Sequence, residues 1–212
     1  MSERLLEYDS GLVSMNAVTL NPQHPHVLPP ELAVREAIPV LSDLVRNPDF
    51  LDSHILPLVE EAGRAKDWHV AYRYDDPDCS YSLQIFVWPP GSATRIHDHS
   101  SWGVFSCVVG AVLEERYERT DEGSLSEYAC LETLWRLEWR KVDGISTVLP
   151  YERGIHRVGN STGVPAISVH LYGPPLGETD GRDYDPSRNY GCDRPKDRCA
   201  PSVCSDLYSS GL

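Results

Sequence analysis

The spacing of apolar residues divides the chain into a helical part followed by a longer strand-like part. Over residues 31–66 the apolar positions recur at the intervals of an amphipathic helix. The first part fits one helix or two short ones broken near Pro39, and the Asn47–Pro48 pair marks a helix boundary. From Trp68 onward the period becomes two, and aromatic and β-branched residues are frequent, as in half-buried strands. We therefore predict a helical cap over residues 31–66 and a barrel of short strands over residues 68–173.

The strand-like part consists of short runs separated by Gly, Pro and Asp, which are typical turn residues. Gly91 and Gly110 bracket a region with the pattern of one strand, a tight turn and a second strand. Residues 174–212 are dense in turn residues and charge, so we expect an irregular tail laid on the barrel. The runs predict a mainly β protein, a sandwich or barrel, formed as one domain over residues 1–212. The strand-like runs are residues 69–74, 81–88, 102–119, 133–139, 146–150, 156–160 and 166–173.

Composition limits the possible partners and location. The 212 residues have a formal net charge of -13, which argues against nucleic acid or an anionic membrane surface as a partner. We see no apolar run of the roughly 18 to 20 residues that span a bilayer, and no basic segment followed by an apolar one at the start. Six cysteines without a secretion signal indicate reduced thiols and a cytoplasmic protein. The spacing of Cys192, Cys199 and Cys204 matches no usual zinc site.

Candidate metal ligands lie at the centre of the strand-like part. His97 and His99 are two residues apart, so in a strand both imidazoles point to one face, about 6 to 7 Å apart along it. His156 follows a glycine- and proline-containing segment and precedes Asn160. Three neutral imidazoles bind a divalent first-row metal and leave one face of it open. The alternative is that all three are hydrogen-bonded barrel histidines without a metal.

The flanking spacing resembles the two motifs of the cupin superfamily. The first motif, G-x5-H-x-H-x3-E-x6-G, matches at every position from Gly91 to Gly110 except the glutamate, which is Gly103 here. The second motif matches with one inserted residue and with Glu152 where a glycine is usual. The resemblance implies a jelly-roll barrel. Without the carboxylate, a bound metal keeps its full dipositive charge, which favours an anionic substrate atom such as a thiolate.

A second polar cluster lies on one strand, Ser168-Val-His170-Leu-Tyr172, whose polar residues share a face. Polar groups that face a barrel interior need partners, because an unpaired buried polar group costs about 1 to 3 kcal/mol. A chain of hydroxyl, imidazole and phenol satisfies itself and ends in a phenolic proton. The alternative is that this face is the outer one.

Together, HDHSSW, HRVGN and SVHLYGPPL resemble the cysteine dioxygenase family of thiol dioxygenases, over residues 72–176. The resemblance implies that His97, His99 and His156 bind Fe(II), and that Ser168, His170 and Tyr172 form a hydrogen-bonded chain around the site. In the family a cis bond precedes the proline after the tyrosine, so a cis Gly173–Pro174 bond is expected.

Animal members of the family carry a cysteine crosslinked to the active-site tyrosine. That position falls at Gly103 or Val104 here, and Cys107 lies further along, so no crosslink is expected. In this respect the chain resembles the bacterial members.

The family also suggests two candidate substrate anchors. Cysteine-specific members hold the substrate carboxylate with a basic residue before the first metal histidine, and Arg73 lies 24 residues before His97. Members that prefer 3-mercaptopropionate use an arginine after the tyrosine motif, and Arg182 lies ten residues after Tyr172. Either guanidinium suits a carboxylate, because it can form two directed hydrogen bonds.

The resulting prediction is an Fe(II)-dependent thiol dioxygenase that uses O2 to convert a small thiol carboxylate to its sulfinic acid. L-cysteine is the first candidate substrate, and 3-mercaptopropionate or another thiol acid is the second. One rival is a three-histidine cupin that cleaves a carbon–carbon bond of a diketone-like substrate. A rival of another class is a metal-binding sensor or storage cupin without turnover.

Overall fold

The computed structural model describes residues 28–77, 80–125, 127–141, 143–176 and 179–195. It begins with three helices, α1 (Pro30–Leu44), α2 (Pro48–Phe50) and α3 (Leu56–Arg64), with a π-helical turn at Leu51–Ile55. Asn47 starts the second helical stretch, because its side chain accepts hydrogen bonds from the Asp49 and Phe50 amides at 2.9 and 3.3 Å. No helix among the described residues is long and apolar enough to cross a membrane.

The predicted helical cap is present over residues 30–64, and its first part is one helix, not two short helices broken near Pro39. Helix α1 continues through Pro39, although proline removes one intrahelical hydrogen bond. Tertiary packing outweighs that loss, because Ala37 and Leu41 on the same helix are fully buried against the sheet beneath.

Five strands form the sheet that carries the helices: β1 (His69–Asp75), β2 (Ser82–Trp88), β4 (Gly103–Val109), β7 (Ser146–Val148) and β9 (Ala166–Tyr172). Their spatial order is β1-β2-β9-β4-β7, and all pairings are antiparallel. Leu83 and Ile85 of β2 and Val169 of β9 face the helices, so the alternate residues of these strands face the other way, into the barrel.

Six strands form the second sheet: β3 (Ile96–His97), β5 (Ala111–Arg119), β6 (Leu131–Arg140), β8 (His156–Gly159), β10 (Thr179–Asp185) and β11 (Tyr190–Pro195). Their order is β11-β10-β3-β8-β5-β6. Between the two sheets, Phe86, Trp88 and Phe105 of the first sheet pack with Val112 and Val158 of the second. The fold is therefore the mainly β cupin barrel that the sequence predicts.

Gly110 separates β4 from β5 and so moves the chain from one sheet to the other. Its φ is +67°, a left-handed conformation that favours glycine, and an added Cβ would lie 2.5 Å from the Pro165 carbonyl oxygen. The single apolar run over residues 102–119 therefore forms two strands in two different sheets.

The expectation of an irregular tail from residue 174 is wrong for residues 179–195, which form the β10–β11 hairpin. Asp183 and Tyr184 pair with His97 and Ile96, so β10 borders the strand that carries the first candidate ligand. The backbone pairing outweighs the poor intrinsic strand preference of Asp and Gly. Cys192 lies in this hairpin and is buried, whereas Cys199 and Cys204 lie outside the described residues.

Candidate metal centre

The three predicted ligands, His97, His99 and His156, come together at one point. His97 in β3 is the register partner of His156 in β8, and His99 follows β3 directly. One ring nitrogen of each lies within 4.8 Å of the others, and the Nε2 atoms of His99 and His156 are 3.0 Å apart. Two nitrogens bound to one ion at about 2.0–2.1 Å are themselves roughly 3 Å apart, so this donor set fits a first-row metal ion.

Two of the rings are oriented by acceptors on their far side. His97 donates from Nδ1 to the Arg95 carbonyl oxygen at 2.9 Å, and His156 donates from Nδ1 to the Glu114 carboxylate at 2.9 Å. Because each Nδ1 carries the proton, each Nε2 has its lone pair available for a metal ion.

Glu114, which the sequence patterns did not indicate, is the hydrogen-bond partner of His156. The residue is fully buried, and its other donors are Arg116 Nε at 2.8 Å, Trp139 Nε1 at 2.9 Å and Ser146 Oγ at 2.5 Å. Burial alone would raise the pKa of Glu114, but the hydrogen bonds from His156 and Ser146 and the positive charge of Arg116 lower that pKa to about 2. The alternation in β5 could have revealed it, since Glu114 shares a face with the apolar Val112.

Gly103, at the position of the missing cupin glutamate, lies against Tyr172. The two residues are register partners, and a Cβ on Gly103 would lie 2.8 Å from the tyrosine Cδ1. The tyrosine ring thus occupies the space that a side chain at residue 103 would need. Cys107 pairs in register with Ser168 instead, which lies four residues before Tyr172 along β9.

Ser168, His170 and Tyr172 form a continuous hydrogen-bonded chain inside the barrel. Trp88 Nε1 donates to Ser168 Oγ at 2.8 Å, Ser168 Oγ lies 2.7 Å from His170 Nε2, and His170 Nδ1 lies 3.0 Å from the Tyr172 hydroxyl. Burial, followed by the charge of His156, lowers the pKa of His170 to about 3, so this imidazole is neutral. The Tyr172 and His99 ring centroids are 5.2 Å apart, so the chain ends beside the histidine cluster.

The two candidate substrate anchors have different positions. Arg73 is the register partner of Gln84, which in turn pairs with His170, so the Arg73 side chain lies on the inner face of its sheet. Its Nε donates to both carboxylate oxygens of Asp75, each at 2.9 Å, and 42% of the Arg73 side chain is exposed.

Arg182 lies on the other face of the six-stranded sheet. Its neighbour Asp183 is the register partner of His97, so the side chains of Arg182 and His97 point in opposite directions. The Arg182 guanidinium contacts Glu152 at 3.3 Å and Asp193 at 3.6 Å. The structure thus does not bring this side chain to the face that carries the histidine cluster.

Strand β10 also holds the segment between the two neighbouring ligands. Asp98 is fully buried and accepts hydrogen bonds from the Arg182 backbone amide and the Tyr184 hydroxyl, both at 2.6 Å. The β10–β11 hairpin therefore holds the segment from His97 to His99 in place through Asp98.

The expected cis bond at Gly173–Pro174 is wrong, since the described residues contain no cis peptide bond. Gly173 donates its backbone N–H to the Trp102 carbonyl at 3.0 Å, and Leu176 donates to the Ser100 carbonyl at 2.7 Å. These bonds guide the extended segment after β9 along residues 100–102.

Two antiparallel sheets with a three-histidine cluster between them define a cupin barrel with a candidate metal centre. The family model described as cysteine dioxygenase type I matches residues 66–186, more than half of the chain. The chain belongs to the cysteine dioxygenase type I family, as the sequence motifs predicted.

Cysteine dioxygenase type 1 of Rattus norvegicus and that of Mus musculus are each 30% identical to the chain over 112 residues. The match covers 50% of this chain and 53% of each relative, so the chain spans about half the length of the curated relatives it matches. Among solved structures, a double-stranded β-helix protein from Klebsiella pneumoniae is similar at 16% identity and a TM-score of 0.37. That similarity covers 65% of this chain and 95% of the other, and it does not bear on function.

Proposed function

We propose that this protein is an Fe(II)-dependent thiol dioxygenase that converts a small thiol carboxylate, L-cysteine first, to its sulfinic acid. The observation that carries the proposal is the adjacency of two clusters. The three-histidine cluster alone suits many metals and reactions, but here it lies beside a buried serine–histidine–tyrosine chain, with 5.2 Å between the His99 and Tyr172 ring centroids.

His97, His99 and His156 would hold the iron as three neutral ligands, which leaves room for other groups on the open side. Fe(II), when bound, supplies the redox chemistry that joins O2 to sulfur. The overall reaction balances without a further reductant: R–SH and O2 give R–SO2H, because the electrons that sulfur loses reduce both oxygen atoms of one O2 molecule.

The chain from Trp88 to Tyr172 would hold a proton at the tyrosine end. An indole N–H can only donate, so the Ser168 hydroxyl oxygen accepts from Trp88. The Ser168 hydroxyl can then donate its own hydrogen bond to His170 Nε2. The neutral His170 then carries its proton on Nδ1 and donates it to the Tyr172 oxygen. In this arrangement Tyr172 keeps its hydroxyl proton as the donor at the end of the chain, where it orients the substrate or stabilises developing negative charge.

Arg73 is the better candidate for the carboxylate anchor, which favours L-cysteine over 3-mercaptopropionate. Its side chain shares the inner face with Gln84 and His170, whereas the Arg182 side chain lies on the opposite face from His97. The contact with Asp75 is exposed, so a substrate carboxylate can replace Asp75 and accept two hydrogen bonds from the guanidinium.

The direct test is oxygen consumption by the Fe(II)-loaded protein with L-cysteine, 3-mercaptopropionate, cysteamine and acetylacetone, with products identified by mass. We expect uptake of one O2 per sulfinate formed, fastest with L-cysteine, and none by the metal-free protein. Uptake with acetylacetone alone would favour the carbon–carbon cleaving rival. Stable iron binding without uptake on any compound would favour a sensor or storage protein.

A further inference from the structure

Glu114 is a buried carboxylate beside the histidine cluster, and each of its two oxygens accepts two hydrogen bonds. One oxygen, Oε1, accepts from His156 Nδ1 at 2.9 Å and from Arg116 Nε at 2.8 Å. The other, Oε2, accepts from Trp139 Nε1 at 2.9 Å and from Ser146 Oγ at 2.5 Å. The donors come from β5, β6, β7 and β8, so four strands fix the position of one buried carboxylate.

This arrangement determines which nitrogen of His156 carries a proton. An ionised carboxylate can only accept, so the contact at 2.9 Å requires a proton on His156 Nδ1. A neutral imidazole has one N–H, and Nε2 is therefore the nitrogen with the lone pair. Nε2 is also the atom that lies 3.0 Å from His99 Nε2, on the cluster side of the ring.

Arg116 is the second charged partner that holds the Glu114 carboxylate in place. The guanidinium is nearly buried, packs over the Trp135 ring at 5.5 Å, and contacts the Thr147 carbonyl as well as Glu114. The Glu114 carboxylate is thus anchored by the Arg116 guanidinium as well as by the His156 N–H, which fixes the position of its Oε1 atom.

We infer that Glu114 is a positioning residue for the metal centre, which holds His156 in the one tautomer and orientation that can bind a metal ion. The cupin glutamate position is Gly103 in this chain, so the carboxylate on β5 contacts the cluster through a histidine instead of directly. The inference rests on the proposed metal centre, but the tautomer can be measured in the absence of metal.

The decisive variant is Glu114→Gln, which keeps the shape of the side chain and places an NH2 group among four donors. The amide NH2 must face either His156 and Arg116 or Trp139 and Ser146, and each choice sets donor against donor. Glu115→Gln is the matched control, since it makes the same change one residue away at a carboxylate that pairs with Arg136 and Arg157.

The first measurement is the two-bond 1H–15N correlation spectrum of the metal-free protein, which distinguishes the two histidine tautomers. We expect His156 in the parent and in Glu115→Gln to have an unprotonated Nε2, and a substantial Nε2–H population in Glu114→Gln. His97, whose Nδ1 is bound to a backbone carbonyl, serves as the internal reference and should not change. The second measurement is Fe(II) binding, for which we expect a 10- to 100-fold higher dissociation constant in Glu114→Gln only.

An unchanged His156 tautomer together with an iron dissociation constant within twofold of the parent would overturn the inference. If Glu114→Gln does not fold, Glu114→Asp takes its place, because it keeps a negative charge beside Arg116 and withdraws the carboxylate from His156 Nδ1 by the length of one methylene. We then expect a tautomer mixture and up to a tenfold loss of iron affinity, and a variant identical to the parent would refute the role. A parent that binds no iron would contradict the proposed function, while the metal-free spectra would still decide the role of Glu114.

Discussion

Among the carboxylate–arginine contacts of the barrel, the pair beside the histidine cluster and the pair on the edge strand differ in exposure. Glu114 and Arg116 have side-chain exposures of 0% and 11%, at 2.8 Å. Arg73 and Asp75 have side-chain exposures of 42% and 57%, at 2.9 Å. The distances are nearly equal, so burial and the number of further partners separate the two pairs.

Because of this difference in burial, we expect the two ion pairs to respond differently when a substrate binds. Removal of one partner from a buried charge pair costs about 3 to 5 kcal/mol, whereas an exposed pair contributes about 0.2 to 1 kcal/mol. The Glu114–Arg116 pair is therefore part of a fixed frame for the metal ligands. The Arg73–Asp75 pair is weak enough for a substrate carboxylate to replace Asp75 on the guanidinium.

The largest expected effect comes from His156→Ala, which removes the histidine that donates to Glu114 of the buried pair. Only two neutral imidazoles would remain as ligands, so we expect a sharp loss of bound iron and no measurable turnover. Iron content by elemental analysis after desalting, together with oxygen uptake, checks this. His69→Ala removes a surface histidine that pairs with Glu61 and should behave as the parent. Full iron occupancy in His156→Ala would exclude this residue as a ligand.

The next effect separates metal binding from turnover. Tyr172→Phe keeps the ring beside His99 but removes the last hydroxyl of the hydrogen-bonded chain, so iron content should stay at the parental level. A positioned proton donor contributes 10²- to 10⁴-fold in rate, and we expect kcat to fall by about that factor. Tyr74→Phe, on the outer face of the same sheet, is the matched control. An unchanged kcat in Tyr172→Phe would make the tyrosine a packing residue.

The sequence indicates candidate metal ligands that the structure brings together, because the spacing of two of them is local. His97 and His99 lie two residues apart between Gly91 and Gly110, and the alternation in β9 places Ser168 and Tyr172 on one face. Both patterns need only the geometry of a strand and turn. The contribution of His156 follows from the resemblance of its segment to the second cupin motif.

The sequence could not predict features that depend on distant pairing. Glu114 acquires its role from His156, 42 residues away, and from Trp139 and Ser146 on two further strands. Residues 179–195 carry Asp, Gly and Asn, which disfavour strands, and they form β10 and β11 because His97 and Ile96 provide a pairing edge. In both cases tertiary contacts decide. The alternation in β5 indicates that Glu114 faces the interior, but it does not indicate which side chains Glu114 contacts there.

A third prediction concerns the exposed Arg73–Asp75 pair and decides which thiol is the substrate. Arg73→Gln should lower kcat/KM for L-cysteine about 10- to 100-fold, since a charge-assisted hydrogen bond contributes around 1.5 to 3 kcal/mol. Cysteamine, which has no carboxylate, should be a poor substrate of the parent and little affected by the change. Steady-state oxygen uptake on both thiols measures this difference.

Arg182→Gln tests the rival anchor with the same assay. Arg182 is the anchor if Arg182→Gln lowers kcat/KM more than Arg73→Gln does, if Arg73→Gln has almost no effect, and if 3-mercaptopropionate is the better substrate. That result would require the side chain to leave Glu152 and Asp193. If both variants keep parental activity on every carboxylated thiol, the substrate is not a small thiol acid.

The smallest expected effect comes from Asp75→Asn, which weakens the exposed pair without removing Arg73. If Asp75 competes with the substrate carboxylate for the guanidinium, KM for L-cysteine should fall by about 1.5- to 5-fold, as expected for an exposed ion pair of 0.2 to 1 kcal/mol. KM for cysteamine should not change, and Glu118→Gln, the same loss of charge at an exposed position on β5, should leave both values at the parental level. A higher KM for L-cysteine in Asp75→Asn would show the opposite relation. Asp75 would then orient Arg73 for the substrate, and the edge-strand pair would belong to the fixed frame, like the pair formed by Glu114 and Arg116.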